Sequence, residues 1–503
     1  MSSNRIQSLG PMVRRLAVLV AVLLLVAPSW ASAQNPEIRL VEDETGWTLQ
    51  VDGRDFMVLG MNWDYFPIGE NYNYTFWSQS DDFIMAALDR EMSLLKSMGV
   101  NAIRQYVGVP PRWVQYIYER YGIWTILNHA VGRYGVNVDG TWIASTDYSD
   151  QRTREVLIAE VVAMVQEHRN TPGLLMWLLG NENNYGLTWS SAETEDLPVG
   201  ERDAARARYL YSLFGDVVQA IKQIDTSRPV AMANGDLQYI DLIAEETRGL
   251  DVFGTNVYRG ISFGDMFEEV EEKLGIPIML TEFGADAWNA KEMREDQYTQ
   301  ARYLIAQWQE LYANSSGKGL VGNSLGGLTF QWSDGWWKFR QDEFLDVHDT
   351  NASWANDAYP EDFVTGGNNM NEEWWGVCAK GPTDARGLFN LYPRAAFYAL
   401  QEAYTLDPYG PGVDLETIAA HFASIQPATA TLQARADDAQ RVTEVLKRSA
   451  SRICGWSSRP TTPVGATSAP RPTSRHSPSC RLSWASTVNS PSSSRPRYSR
   501  RRT

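Results

Sequence analysis

Two glutamates stand where the chain changes polarity abruptly. The apolar run 174–180 closes on Asn181-Glu182, and the apolar run 276–280 closes on Thr281-Glu282. A carboxylate at the end of a buried strand is partly desolvated and needs a partner or a role. Two carboxylates brought to one place can divide acid and base work between them. Cleavage of a glycosidic bond uses such a pair: one carboxyl protonates the leaving oxygen, and the other attacks the anomeric carbon or activates water. The simpler reading is two unrelated ion-paired glutamates, and the elements around them decide between the two.

Short apolar runs alternate with amphipathic stretches through the middle of the chain. Strands are expected over residues 57–62, 101–106, 124–129, 174–182, 230–234, 252–258, 276–283 and 326–332. Helices are expected over 82–98, 111–121, 150–168, 201–224, 237–246, 265–274, 296–313 and 393–403. Continuous apolar strands, each followed by a helix, indicate a parallel sheet covered on both faces. Eight such units predict an α/β fold, a single (β/α)8 TIM barrel with a short N-terminal β-hairpin and long βα loops. A doubly wound open sheet needs fewer units, and no Gly-rich phosphate turn follows the first strand. In a barrel the chemistry sits where strands end. The expected strand ends carry Asn62-Trp63-Asp64-Tyr65, Arg104 with Tyr106, Asn128-His129, Asn181-Glu182, Asn234-Gly235-Asp236, Asn256-Val257-Tyr258, Thr281-Glu282 and Trp332-Ser333-Asp334. Polar and aromatic groups recur at all of them. Strands four and seven face each other across a barrel mouth, so Glu182 and Glu282 can converge.

The stretches Trp177-Leu178-Leu179-Gly180-Asn181-Glu182 and Leu280-Thr281-Glu282-Phe283-Gly284 resemble the acid/base and nucleophile signatures of clan A glycoside hydrolases, the four/seven superfamily of retaining enzymes. With Gly99-Val100-Asn101-Ala102-Ile103-Arg104, the nearest resemblance is to the barrel domain of family 2 β-glycosidases, over roughly residues 37–405. The resemblance implies Glu182 as acid/base and Glu282 as nucleophile. It implies that Arg104 and Tyr258 support the nucleophile and that Asn181 binds the hydroxyl next to the reacting carbon. His129 and Trp332 are expected to line the subsite of the cleaved sugar, with Trp63 and Trp288 as further substrate-binding positions. Family 2 enzymes usually carry two β-sandwich domains before the barrel, and between Gln34 and Met57 there is room only for a hairpin. The segment after Arg104 also lacks their usual His, and its Arg-x-Tyr pattern resembles β-1,3-glucanosyltransferases of the same clan. The resemblance therefore implies an exported retaining β-glycoside hydrolase. The alternatives are a β-glucan transglycosylase with the same pair and a non-catalytic glycan-binding protein.

Composition divides the 503 residues into parts. Residues 1–33 carry three Arg and no acid: Arg5, Arg14 and Arg15 precede an apolar run and Ala31-Ser32-Ala33. That is the pattern of a signal peptide cleaved after Ala33, and it predicts export to the periplasm or the exterior. Residues 34–440 hold 29 Lys/Arg against 60 Asp/Glu, a net −31. Such an acidic body argues against nucleic acid as a partner. An oligo- or polysaccharide is the expected partner, with no membrane insertion after signal cleavage, and no cofactor or metal is implied. Residues 441–503 hold 13 Lys/Arg and one acid, rich in Ser, Pro and Thr. They are expected to be a disordered basic tail or a frame-shifted translation. The domains expected are thus 1–33 signal peptide, 34–56 hairpin, 57–405 catalytic barrel, 406–440 extension and 441–503 tail.

Nineteen Trp are present, and many fall in three long insertions after strands three, four and eight. Aromatic faces stack on the apolar faces of sugar rings, which suits a chain glycan; packing onto the barrel is the alternative. Asp334, Asp342, Glu343, Asp346, His348 and Asp349 offer oxygen ligands but no Ca²⁺ loop spacing, so they are expected to be a solvated acidic loop.

Overall fold

Strand and helix alternate eight times in the computed structural model, which describes residues 36–438. The expected signal peptide and basic tail lie outside those residues. The barrel strands are Val58–Asn62, Ala102–Tyr106, Trp124–His129, Leu174–Leu179, Val230–Met232 with Asn234–Gly235, Phe253–Asn256, Ile278–Phe283 and Ser324–Thr329. They pair in parallel, each with its neighbour in sequence, and the eighth pairs with the first through Leu328↔Gly60. The fifth strand is interrupted at Ala233. Its first half pairs with strand four, its second half with strand six, and Ala231 bridges Val252, which closes the circle. Chain and physics agree here: strands three, four, seven and eight are buried at every position, and only uninterrupted apolar runs tolerate cover on both faces.

The helices form the outer layer, and their ends are set by local chemistry. Helix Asp81–Met98 begins where the Ser80 hydroxyl accepts the N–H of Phe83 and stops at Gly99 in the left-handed region (φ 100°). Helix Gln151–His168 begins where Asp150 accepts the N–H of Thr153. Inside the barrel a small core of Val58, Ala102, Ile126, Met176, Leu178, Met279 and Leu328 fills the axis. An antiparallel sheet, Ile38–Asp43, Gly46–Val51 and Arg54–Asp55, closes the N-terminal end by adding Ile38 and Leu49 to that core. A larger core lies between strands and helices.

Two strand ends come earlier than expected. The eighth strand runs Ser324–Thr329, ending before Phe330, so Trp332 belongs to the loop beyond it. The fourth ends at Leu179, ahead of Asn181. Within the expected 406–440 extension, helix Leu415–Ser424 packs on helix Gln297–Ala313 through Phe422 and Tyr312, whose ring centroids lie 5.1 Å apart. The loop after strand eight is tied down by a buried pair: Arg394 Nη1 and Nη2 donate to the two Asp334 oxygens at 2.6 and 2.7 Å. Asp334 is thus not part of a solvated acidic loop; burial drives it onto the guanidinium. No helix of the described residues is long and apolar enough to cross a membrane.

Candidate active site

Strand alternation decides which side chains enter the barrel mouth. Asn62, Arg104, Asn128 and Asn256 all point inward and bond one another or the groups beyond them. Arg104 is 1% exposed. Its Nε donates to Asn128 Oδ1 at 2.7 Å, and Nη1 to Glu282 Oε1 at 2.7 Å and Asn62 Oδ1 at 3.3 Å. Its Nη2 donates to Asn181 Oδ1 at 2.8 Å and to the Tyr106 hydroxyl at 3.1 Å. The other Glu282 oxygen, Oε2, accepts from the Tyr258 hydroxyl at 3.0 Å. Glu282 is thus held by a charge-assisted bond from the guanidinium and by a second hydrogen bond from a phenol.

Glu182 reaches the same place by a different local route. After Leu179 the chain turns through Gly180 (φ +80°), where a side chain would be strained and would also meet Asn183 Oδ1 at 2.7 Å. Asn181 follows, then Glu182 itself in the left-handed region (φ 52°). A non-glycine residue held there is uncommon and is over-determined by its surroundings; the Glu182 N–H donates to Ala233 O at 2.9 Å. The Asn256 amide then ties the two halves together. Its Nδ2 donates to Glu182 Oε1 and to Asn181 Oδ1, each at 3.1 Å, while its Oδ1 accepts from the Thr281 hydroxyl at 2.7 Å. A path Glu282–Arg104–Asn181–Asn256–Glu182 therefore joins the carboxylates. Asn181 Oδ1 receives two donors, which fixes its amide orientation and turns Nδ2 outward, where it donates to the Tyr134 hydroxyl at 2.7 Å.

The electrostatics of the two acids differ. Burial first, and the charge of Glu282 second, push Glu182 up to about 7. Burial also drives the Tyr258 hydroxyl far above its usual range, so it remains a donor to Glu282. Between the ordinary carboxylate range and about pH 7 the folded chain holds a proton on Glu182 that the unfolded chain has released. Stability therefore falls as pH rises through that window. Glu182→Gln should remove this dependence: denaturant unfolding at pH 8 is expected to show a gain of about 1–3 kcal/mol over the parent, and none at pH 4.

Sequence reasoning missed part of this site. The loop after strand eight delivers Trp375 and Trp354 edge-on to the Tyr258 ring, at 4.9 and 6.0 Å. The Trp354 indole N–H donates to Glu372 at 2.6 Å. Asn256 is visible as a strand end, but nothing in one sequence assigns it the link between the acids. Three expected substrate-binding positions, His129, Trp63 and Trp332, are turned toward the helix layer and away from the pair. His129 follows the inward Asn128 and so faces the other side: its Nδ1 accepts from the Val131 N–H at 3.1 Å, and Nε2 lies 3.7 Å from Glu160. Burial pulls its pKa down to about 4, which keeps the ring neutral. Trp63 and Trp332 are buried between barrel and helices. The Trp63 indole donates to Glu91 at 2.6 Å, and Trp332 packs on Phe397. Burial pushes Glu91 up to about 8. Trp288 lies in a small hairpin, its ring 4.6 Å from that of Trp374. For Trp63 and Trp332 the ring is better satisfied by the apolar layer than by solvent at the mouth. Among the described residues, no group of three or more His, Cys, Asp or Glu is placed to hold a metal ion.

Residues 79–316 match the model of the glycosyl hydrolases family 2, TIM barrel domain. Among characterised proteins, a β-galactosidase of Arthrobacter sp. (strain B7) is 26% identical over 159 residues, covering 30% of this chain and 15% of that protein. A β-galactosidase of Enterobacter cloacae is 29% identical over 102 residues, covering 20% and 9%. The matched region is thus a small part of those relatives. Among solved structures, a family 2 β-galacturonidase from Eisenbergiella tayi bound to galacturonate superposes with a TM-score of 0.46 at 17% identity, covering 75% of this chain and 55% of that one.

Proposed function

Given that residues 79–316 are a TIM barrel domain of the family 2 glycosyl hydrolases, we propose that the chain is an exported retaining β-glycoside hydrolase. The observation that carries this reading is the asymmetry of the two carboxyls. Glu282 accepts from Arg104 and Tyr258, whereas Glu182 is buried and pushed up to about 7. One group is aimed by two donors, as an attacking group must be; the other keeps a proton near neutral pH to give away.

In the first step Glu282 forms a bond to the anomeric carbon. The bond to the leaving oxygen breaks, its electron pair stays on that oxygen, and Glu182 supplies the proton. Glu282 is now a neutral ester. The charge that helped to raise Glu182 has gone, so the Glu182 carboxylate becomes the stable form and accepts a proton from water. That water attacks the same carbon, and Glu282 departs as a carboxylate. The fixed Asn181 amide offers its Nδ2 to the neighbouring sugar hydroxyl, a bond that strengthens as positive charge develops on the ring.

Trapping tests this directly. Incubation with an activated 2-deoxy-2-fluoro β-glycoside should add one glycosyl mass, and the modified peptide should contain Glu282. Release of the product first as the β-anomer, followed by NMR, checks retention. A first-formed α-anomer, or an ester on another residue, would overturn the reading.

A further inference from the structure

Two cations at this site form no ion pair with a described residue, in a segment where acids outnumber bases 60 to 29. The first is Lys338, half-buried in the loop after strand eight. Its ammonium stands 5.0 Å over the rings of both Phe330 and Trp337. The carboxylates whose field reaches it are Glu372, Glu282 and Asp64. Glu282 is already engaged by Arg104 and Tyr258, and Glu372 by the Trp354 indole. No hydrogen bond or ion pair to the Lys338 ammonium is formed by the described residues. The second is Arg133, in the loop after strand three. Its guanidinium lies over Tyr134 at 5.6 Å, beside Gly186, and its field acts on Glu182. Its Nε is buried without a hydrogen-bond partner, and it too forms no ion pair with a described residue.

Neighbouring cations behave differently. Arg104 is paired with Glu282, Arg259 with Asp236 at 2.5 Å, and Arg394 with Asp334. Pairing is therefore the rule around this mouth, and acids to pair with are plentiful. The hydrogen-bond donors of Lys338 and Arg133 stand without acceptors among the described residues, and a ligand that brings oxygen atoms would fill them. Lys338 stands over Phe330, whose ring lies 6.4 Å from that of Tyr258, the donor to Glu282; Arg133 lies beside Gly186, four residues beyond Glu182.

We propose that the glycan cleaved here is anionic, with acidic groups on the sugars at both sides of the scissile bond, and that Lys338 and Arg133 read them. This rests on the glycosidase reading above. The ligand group is a carboxylate or a sulfate, since both offer the oxygen acceptors that an ammonium and a guanidinium lack here. A guanidinium suits either in a two-point contact, and an ammonium either as a point charge.

The test uses the full chain and a panel of 4-nitrophenyl β-glycosides: glucoside and galactoside, glucuronide and galacturonide, and the 6-sulfo glucoside. At least one anionic substrate should exceed its neutral counterpart in kcat/KM by about tenfold or more, and the arm that does so names carboxylate or sulfate. Lys338→Met should lower that anionic-to-neutral ratio by about 10–100-fold, and Lys338→Arg should restore part of it. Arg133→Met should lower the same ratio for disaccharides that differ only in whether the leaving sugar is acidic. A wild-type preference for neutral sugars overturns the proposal, as does a Lys338→Met variant that slows both classes equally. Should no aryl glycoside turn over, calorimetric titration with glucuronic acid, glucose 6-sulfate and glucose decides instead: tighter binding of an acid supports the proposal, and equal or absent binding of the acids overturns it. The two readings fail separately. Turnover of neutral glycosides through a Glu282 ester keeps the glycosidase and removes the anionic preference, whereas no ester on Glu282 from any sugar removes the glycosidase itself.

Discussion

Glu282→Gln is expected to lower kcat by roughly 10⁴–10⁶-fold, on the scale of removing a covalent nucleophile. The amide keeps the shape and can still meet Arg104 and Tyr258, but it cannot attack carbon. Two further readouts separate this from a folding defect. The variant should retain the parent's circular dichroism. Its Glu182 should also titrate lower, because the charge of Glu282 that helped to push it up to about 7 is gone. An NMR titration of labelled carboxyls would show this. Unchanged activity in Glu282→Gln would sink the assignment outright. The partner variant, Glu182→Ala, should behave differently by leaving group. Sugars, which need a proton to leave, should slow by about 10²–10⁴-fold. Nitrophenolate, which does not, should be released in the first step nearly as before, and azide should restore the second step by attacking the ester in place of activated water.

Arg104→Met is the second large effect. One 1%-exposed guanidinium satisfies Glu282, Asn181, Asn128, Asn62 and Tyr106 at once. Removing it leaves a buried carboxylate unpaired, which destabilises by about 3–5 kcal/mol; urea unfolding measures this. The catalytic consequence is a split. Nη1 no longer aims the Glu282 carboxylate and Nη2 no longer fixes Asn181, so kcat should fall far more than KM rises. A purely structural role would lower the amount of folded protein and leave kcat per folded molecule in place. Arg104→Lys should return part of kcat but little of the stability, since an ammonium supplies the charge without the five-donor fork that joins strands one, three and seven to the turn after strand four.

The legibility of this molecule is uneven, and the reasons are physical. The strands are readable because a parallel sheet covered on both faces admits only apolar runs, such as 174–179. A single acid closing such a run is conspicuous for the same reason. Glu182 and Glu282 can be singled out, and the resemblance of their flanking residues supplies Arg104, Asn181 and Tyr258. Aromatic residues near strand ends are read poorly. Trp63 and His129 share sequence neighbourhoods with inward residues, but alternation sends them to the helix layer, where Glu91 meets Trp63 and Glu160 meets His129; Trp332 lies beyond the end of strand eight and packs on Phe397. One residue of register reverses the face a side chain occupies, and sequence fixes strand ends less sharply than that.

The order of residues alone sets a parallel α/β barrel and two acids at the ends of opposite strands. Hydrophobic periodicity is a local property, and it survives in that order. Folding alone settles everything that depends on distance between loops. Asn256 bridges residues 75 and 74 positions away, and Arg104 reaches Glu282 across 178. The strand-eight loop, pinned by Arg394 to Asp334, brings Trp354, Trp375 and the unpaired Lys338 over the mouth. Burial and Coulomb fields act through space, so the raised pKa of Glu182 exists only once those groups are assembled.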